Sequence, residues 1–153
     1  MRYMLLSYDD EQAWERAGQA AVKAAMQEAV GLCHDLDAKG QYLFCSPLYP
    51  GATATCVRVR EGKRLVTDGP FAESREVLGG FYLIDVENLD EAIAIAARHP
   101  GARLGAVEIR PVLELPGLPT AKFATEPSAA GSEPRPADEA FNATAAERLG
   151  LRT

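Results

Sequence analysis

The order of its predicted elements places this chain in the α+β class. Three observations predict the class: a short apolar strand at the amino terminus, two helical stretches separated by strand-like sequence, and a clear hairpin between them. The chain has 153 residues, of which nearly half are hydrophobic and a quarter charged, which is typical of a globular protein. We therefore expect one domain with its helices packed on an antiparallel sheet.

The first half of the predicted domain is a strand, a long helix and a second strand. Residues 2–8 are short and apolar, and the acids at Asp9, Asp10 and Glu11 are typical of a helix start. Residues 13–38 are rich in alanine and predict a helix with a break near Gly18 and a stop at Gly40. Residues 41–44 then predict a strand, and a proline-containing loop follows. Apolar residues at helical spacing predict one buried stripe on the helix: Val22, Met26, Ala29, Val30, Cys33 and Leu36.

The second half begins with a hairpin and repeats the strand–helix–strand order. Residues 53–60 alternate between the two faces of a strand, Glu61 and Gly62 turn the chain, and residues 63–67 return. Residues 80–86 form the most apolar strand, and residues 104–112 form the last one. Asn88 and Glu91 resemble a capping box at the start of the second helix, which Pro100 follows. The predicted buried face of that helix is Leu89, Ala92, Ile93 and Ala96.

This order is that of a ferredoxin-like split βαβ sandwich with an inserted β-hairpin. Its usual packing places both helices on one face of an antiparallel sheet. The other face needs a cover if it is apolar, and we expect a second copy of the chain to supply it. The predicted assembly is thus a homodimer, in the form of a dimeric α+β barrel.

The sequence changes character after residue 116. Residues 1–116 form the predicted domain, and residues 117–153 are a tail rich in proline and alanine with few large apolar groups. Such a segment buries too little surface to offset the entropy of ordering it. A short helix over residues 138–149 is the one element that we expect there.

Charge and residue counts exclude several classes of function. The net charge is −6 and no lysine–arginine cluster is present, so direct binding to nucleic acid is not expected. The three cysteines lack CxxC spacing and the chain has two histidines, so we predict no metal site. No cofactor is predicted, since the chain has neither a P-loop nor a dinucleotide fingerprint. The absence of a signal-peptide core or an apolar span predicts a cytoplasmic protein away from membranes.

One segment carries a family resemblance. Residues 67–76 read TDGPFAESRE, and residues 78–85 read LGGFYLID. With the motifs at 96–100 and 105–111, these residues resemble the YCII-related family, specifically its DGPF branch, over residues 1–115. The resemblance implies a ferredoxin-like domain that pairs into a dimeric α+β barrel.

The resemblance also bears on chemistry. It implies a proton-transferring histidine on the first helix and an aspartate before the second strand, and one relative is a dehydrochlorinase. The corresponding residues here are Ala29 and Ala38, which cannot transfer a proton. His34 and Asp37 lie nearby, and we interpret them as a local pair near the end of the helix.

Six residues are candidates for a functional site. Asp68, at a turn before Gly69 and Pro70, is either a structural residue of that turn or a base facing a cleft, with Phe71 as a wall. Arg75 is either a solvated charge or a binder of an anionic ligand.

The last strand contributes two of the candidates. Glu108 and Arg110 share one strand face, and form either an ion pair at the dimer interface or part of a polar cavity. Tyr82 either packs in the core or reaches that cavity. We expect Asp68, Glu108 and Arg110 to converge.

Two hypotheses of function follow. In the first, the protein performs acid–base chemistry without a cofactor on a small aromatic or carboxylated molecule. Asp68, Glu108 and Tyr82 would then transfer protons, while Arg110, Arg75 and Phe71 bind the substrate. In the second, the protein is a non-catalytic ligand-binding or regulatory module that acts with a partner such as a sigma factor, because DGPF domains also occur fused to sigma factors.

Overall fold

The structure is a computed structural model that describes residues 1–118. Met1–Val112 form one compact unit, and Leu113–Thr153 are assigned to a second unit that is described only as far as residue 118. The helix expected over residues 138–149 lies outside the described residues. No helix within the described range is long and apolar enough to cross a bilayer.

The first unit contains one four-stranded sheet with helices on one of its faces. The strands of the sheet are β1 (Arg2–Asp9), β2 (Tyr42–Pro47), β5 (Val77–Asp85) and β6 (Gly105–Pro111). Their order is β2-β5-β1-β6, and every neighbouring pair is antiparallel. The helices are α1 (Glu11–Ala17), α2 (Gln19–Ala38) and α3 (Leu89–Arg98). The predicted α+β, ferredoxin-like fold is therefore confirmed.

Local chemistry defines the helix ends where the sequence predicted them. The Asp10 carboxylate accepts from the Ala13 N–H at 2.9 Å, and Gly18, with a φ of 86°, separates α1 from α2. Gly40 ends α2 in a left-handed conformation. The Glu91 N–H donates to the Asn88 side chain at 3.0 Å, as expected of the predicted cap of α3.

The buried stripes differ in part from those predicted. On α2, Val30 is 56% exposed, whereas Leu32 is 3% exposed and packs in the core. On α3, Leu89 and Ile93 are about half exposed and Ile95 is buried. The reason is helical phase: at 100° per residue, residues two positions apart lie on nearly opposite sides of a helix, so burial of Leu32 and Ile95 turns Val30 and Ile93 away from the core.

The inserted hairpin forms a sheet of its own. Its strands are β3 (Thr55–Arg60) and β4 (Lys63–Asp68), and the strand predicted from residue 53 starts later because Gly51–Thr53 form a 3-10 turn. Both turn residues have positive φ, 51° at Glu61 and 75° at Gly62, as a type I′ turn requires. The register places Val57 opposite Val66. Three valines of one hairpin face are more than half exposed: Val57, Val59 and Val66.

The two faces of the main sheet are unequal. Leu5, Ile84 and Leu36 of α2 are almost completely buried between the sheet and the helices. On the opposite face, which we call the open face, β1 presents Met4, Leu6 and Tyr8, all half-buried. Phe44 and Phe81 extend this face, with ring centroids 5.7 Å apart. The predicted cover by a second copy stays a prediction.

Candidate functional site

The junction of β1 and α1 carries three consecutive acids with three different sets of partners. Asp9, the last residue of β1, turns towards the helix-covered face, like Ser7 two positions earlier. Asp10 caps α1. Glu11 accepts from the Gly51 N–H at 3.0 Å, which ties the 3-10 turn before β3 to this end of the sheet. The junction thus collects segments that are distant in the sequence.

The second of these acids holds the loop that follows β4. The Nε of Arg75 donates to Oδ2 of Asp10 at 2.7 Å. The pKa of Asp10 is lowered, first by its hydrogen bond from the Ala13 N–H and then by the bond from Arg75. The Asp10 side chain is only 6% exposed, whereas that of Arg75 is 77% exposed. The Arg75 guanidinium is therefore bound to Asp10 through Nε, and the rest of it stays accessible to solvent.

The side chains of Ser7, Asp9 and His99 converge, and we call them the polar cluster. A Cβ atom placed on Gly101 would lie 2.5 Å from Ser7 Oγ, 2.9 Å from His99 Nδ1 and 3.0 Å from Asp9 Oδ1. The three polar atoms thus surround one point. Ser7 Oγ donates to Asp9 Oδ1 at 3.5 Å, and the Trp14 indole N–H donates to the same carboxylate.

The tautomer of the neutral His99 ring follows from its contacts. Nδ1 accepts from the Gly101 N–H at 3.1 Å, so the ring proton lies on Nε2. The ring meets Tyr82 edge to face, with centroids 5.1 Å apart. Burial, and then the positive charge of Arg103, lower the pKa of His99. His99 thus ends α3 through its backbone N–H, which donates to the Ala96 carbonyl at 3.0 Å, and caps the 3-10 turn Pro100–Arg103 through its side chain.

Asp9 has the opposite perturbation. Burial raises the pKa of its carboxyl group, and the negative charge of Glu11 adds to this, while the hydrogen bonds from Trp14 and Ser7 oppose it. A Cβ on Gly79 would lie 1.9 Å from Asp9 Oδ2, so the carboxylate occupies space that any other residue at position 79 would fill. The register of β1 against β5 shifts between Ser7 and Tyr8, which places Gly79 at an irregularity beside Asp9.

The polar cluster has the groups that proton transfer requires. It combines a carboxyl group that is a stronger base than an ordinary aspartate with an imidazole that stays neutral and offers an N–H. Asp9 and His99 are half-buried and Ser7 is buried. Within residues 1–118, no group of three histidine, cysteine or acidic side chains has the arrangement of a metal site.

Two shallow depressions lie elsewhere on the surface. One, of about 360 Å³, lies between the chain start and the end of α2, where Met1, Gln41 and Asp85 line it. The other, of about 220 Å³, is an apolar groove between α3 and β6. Neither contains a member of the polar cluster.

The structure separates the six residues that the sequence singled out. Tyr82 contacts His99 of the polar cluster, whereas Arg75 is bonded to Asp10, the residue that follows Asp9 in the chain. Tyr82 is paired with Leu5 on the helix-covered face and is 6% exposed, which favours the core-packing alternative over a cavity shared with Glu108. Alternation along the strands places their side chains on opposite faces of the sheet.

Glu108 and Arg110 lie on the open face, because Val107 and Ile109 pack on the core. They form an ion pair with each other at 3.3 Å. Asp68 ends β4, and Phe71 is 80% exposed beneath the Arg58 guanidinium, whose carbon is 5.3 Å from the ring centroid. In the described part of the chain, no ion pair links Asp68 to Glu108 or Arg110, and their convergence stays a prediction.

The polar cluster is not apparent from the sequence because His99 lies far along the chain from Ser7 and Asp9. One signal was available: Ser7 and Asp9 continue the alternation of Tyr3 and Leu5, so polar groups occupy a stripe that is buried in the same strand. A buried polar side chain needs a partner. Nothing in the sequence identified His99 as that partner.

Comparison with known proteins identifies the class and then the family. The fold and its site define a small α+β protein with a polar cluster at one end of the sheet. Residues 1–116 match the YCII-related domain, and the chain belongs to that family. It is similar to an uncharacterised protein of Rhizobium meliloti (strain 1021), with 34% identity over 114 residues, which cover 73% of this chain and 92% of the relative.

Proposed function

We propose that this protein performs acid–base chemistry on a small aromatic or carboxylated molecule at the polar cluster. One observation carries the proposal: Asp9 Oδ1 and His99 Nδ1 lie 3.0 and 2.9 Å from the same point, and burial raises the pKa of the carboxyl group while it lowers that of the imidazole. Opposite shifts in adjacent titratable groups are typical of acid–base sites.

Each member of the site has a separate role in this proposal. Asp9 accepts a proton from the substrate, and the Nε2–H of His99 donates to the group on which negative charge develops. Ser7 and Trp14 orient the Asp9 carboxylate through their hydrogen bonds. Arg75 binds the anionic group of the substrate, because its Nε is held by Asp10 and its terminal nitrogens have no partner within residues 1–118.

The experiment uses NMR with benzoate and 4-hydroxybenzoate as probes. We expect both probes to shift the Trp14 indole and Tyr82 ring signals of the wild-type protein. Asp9→Asn and His99→Gln should reduce these shifts at the same probe concentration. Asp37→Asn and His34→Gln make the same chemical changes at exposed positions of α2 and serve as matched controls.

Two results would count against the site. One is the absence of any shift with either probe at millimolar concentration. The other is an equal response from the Asp9 and His99 variants and their α2 controls, since binding would then lie elsewhere. Exchange of solvent deuterium into the ring positions beside the phenol of 4-hydroxybenzoate separates catalysis from binding alone, and benzoate, which has no such positions, serves as the control.

A non-catalytic ligand-binding module is the second candidate function. Ala29 and Ala38, at the positions where the family resemblance implies a proton-transferring pair, favour it. Binding of the probes without any exchange or turnover would support this candidate. A regulatory role with a partner such as a sigma factor belongs to the same candidate.

We also propose a branch of the family, a cellular location and an oligomeric state for this protein. We place the chain in the DGPF branch on the strength of Asp68, Gly69, Pro70 and Phe71, and in the cytoplasm because its three cysteines are free. We propose a twofold homodimer formed through the open face of the sheet. The half-buried apolar side chains of that face, with Phe44 44% exposed, support this assembly.

A further inference from the structure

Helix α2 and the edge strand β2 bring two thiols into contact. The sulfurs of Cys33 and Cys45 are 3.2 Å apart, and both residues are half-buried and free. A disulfide bond has an S–S length of about 2.05 Å, so the two sulfurs need to approach by roughly 1 Å to form one. Cys56, on β3, is also free and provides an internal comparison.

We propose that Cys33 and Cys45 form a reversible intramolecular disulfide when the protein meets a hydroperoxide. The cross-link joins the last turns of α2 to β2. The inference is independent of the function proposed above, because it rests on the contact between the two thiols and not on the polar cluster.

The chemistry balances with the hydroperoxide as the two-electron oxidant. One cysteine thiolate attacks the peroxide oxygen, the O–O bond breaks, and a sulfenic acid and one water form when hydrogen peroxide is the oxidant. The second sulfur then attacks the sulfenic sulfur, the S–S bond forms, and the hydroxyl group leaves as a second water with the remaining proton. Two thiols and one hydrogen peroxide thus give one disulfide and two waters.

The surroundings assign an order to the two sulfurs. Burial raises the pKa of the Cys33 thiol to about 11, and the neighbouring Cys45 adds to this effect. Cys33 is therefore the poorer first nucleophile, and Cys45 attacks the peroxide. The hydroxyl of Tyr42 lies 3.5 Å from the Cys45 sulfur, and its oxygen accepts from the Cys45 N–H at 3.1 Å, which holds Cys45 towards Cys33.

The thiol pair is connected to the polar cluster through one side chain. The Tyr82 hydroxyl is hydrogen-bonded to Cys33, and the Tyr82 ring contacts His99. Formation of the disulfide converts the Cys33 thiol, to which the Tyr82 hydroxyl is hydrogen-bonded, into a disulfide sulfur. The ring signals of His99 therefore report closure of the disulfide from outside the pair.

The test exposes the reduced full-length protein to hydrogen peroxide, followed by thiol counting and peptide mapping of the alkylated product. We expect the three reactive thiols to fall to one, with Cys33 and Cys45 recovered in one linked peptide and both released by dithiothreitol. Cys56→Ser should form the same link and leave no thiol. Cys33→Ser and Cys45→Ser should each prevent the link. In both variants, peroxide should therefore leave the His99 ring signals unshifted.

Three results would overturn the proposal in the wild-type protein, where no substitution affects folding. In the first, all three thiols stay reactive after peroxide treatment. In the second, the disulfide includes Cys56 or joins two chains. In the third, Cys33 or Cys45 is oxidised to a sulfinic acid and no disulfide forms.

Discussion

Gly101 offers a direct test of the geometry of the polar cluster. Its φ is not in the left-handed region, so the backbone accepts alanine without strain, and the effect of Gly101→Ala comes from the added methyl group. That methyl group would lie 2.5 Å from Ser7 Oγ and within 3.0 Å of the polar atoms of His99 and Asp9. All three contacts are shorter than ordinary van der Waals distances, and each neighbour is itself held by a hydrogen bond.

The expected cost follows from the crowding. Overpacking of a well-packed site costs about 1–3 kcal/mol, and a domain of this size loses roughly 4–15 °C in Tm for such a change. Gly31→Ala is the matched control, because Gly31 lies exposed inside α2 with nothing within 4 Å of its added Cβ. There the same substitution removes the flexibility of glycine from a helix and should stabilise the protein by about 0.5–1 kcal/mol.

Urea unfolding and a thermal melt of the two variants measure both effects. Opposite signs for the two substitutions are the expected outcome. If Gly101→Ala were as stable as the wild-type protein while Gly31→Ala gained stability, the three side chains would not surround residue 101. The proposed arrangement of Ser7, Asp9 and His99 would then be wrong.

Four further predictions concern titration, the turn, the tail and assembly. The pKa of His99 is lowered in the folded state, so the stability from its neutral ring is complete above pH 6.5 and is lost as pH falls below that value. His99→Gln should flatten the dependence of the free energy of unfolding on pH, measured by urea unfolding at several pH values. An unchanged dependence would contradict this role of His99. Asp68→Asn should lower stability without altering probe binding if Asp68 only holds its turn, whereas stable protein with weaker binding would assign it to a site. Deletion of residues 120–153 should leave Tm nearly unchanged, and a large loss in a thermal melt would mean that the tail packs on the domain. Light scattering at micromolar concentration should give twice the mass of the chain, and a stable monomer would refute the dimer.

The sequence determined the elements whose chemistry is local. The cap at Asn88, the break at Gly18 and the stop at Gly40 depend on groups a few residues apart, so they could be identified from the sequence alone. The same holds for the hairpin, because Glu61 and Gly62 adopt the positive φ of a type I′ turn. Strand alternation likewise placed Glu108 and Arg110 on one face of the last strand.

Only the tertiary structure decided which polar groups meet. Asp9 and His99 belong to β1 and to the end of α3, and their approach depends on the strand register, on the irregularity opposite Gly79 and on the 3-10 turn at Gly101. The contact of Cys33 with Cys45 likewise depends on how α2 lies against the edge strand. These distances result from packing between distant segments, which periodicity does not encode, since it specifies the buried face of an element but not its partner.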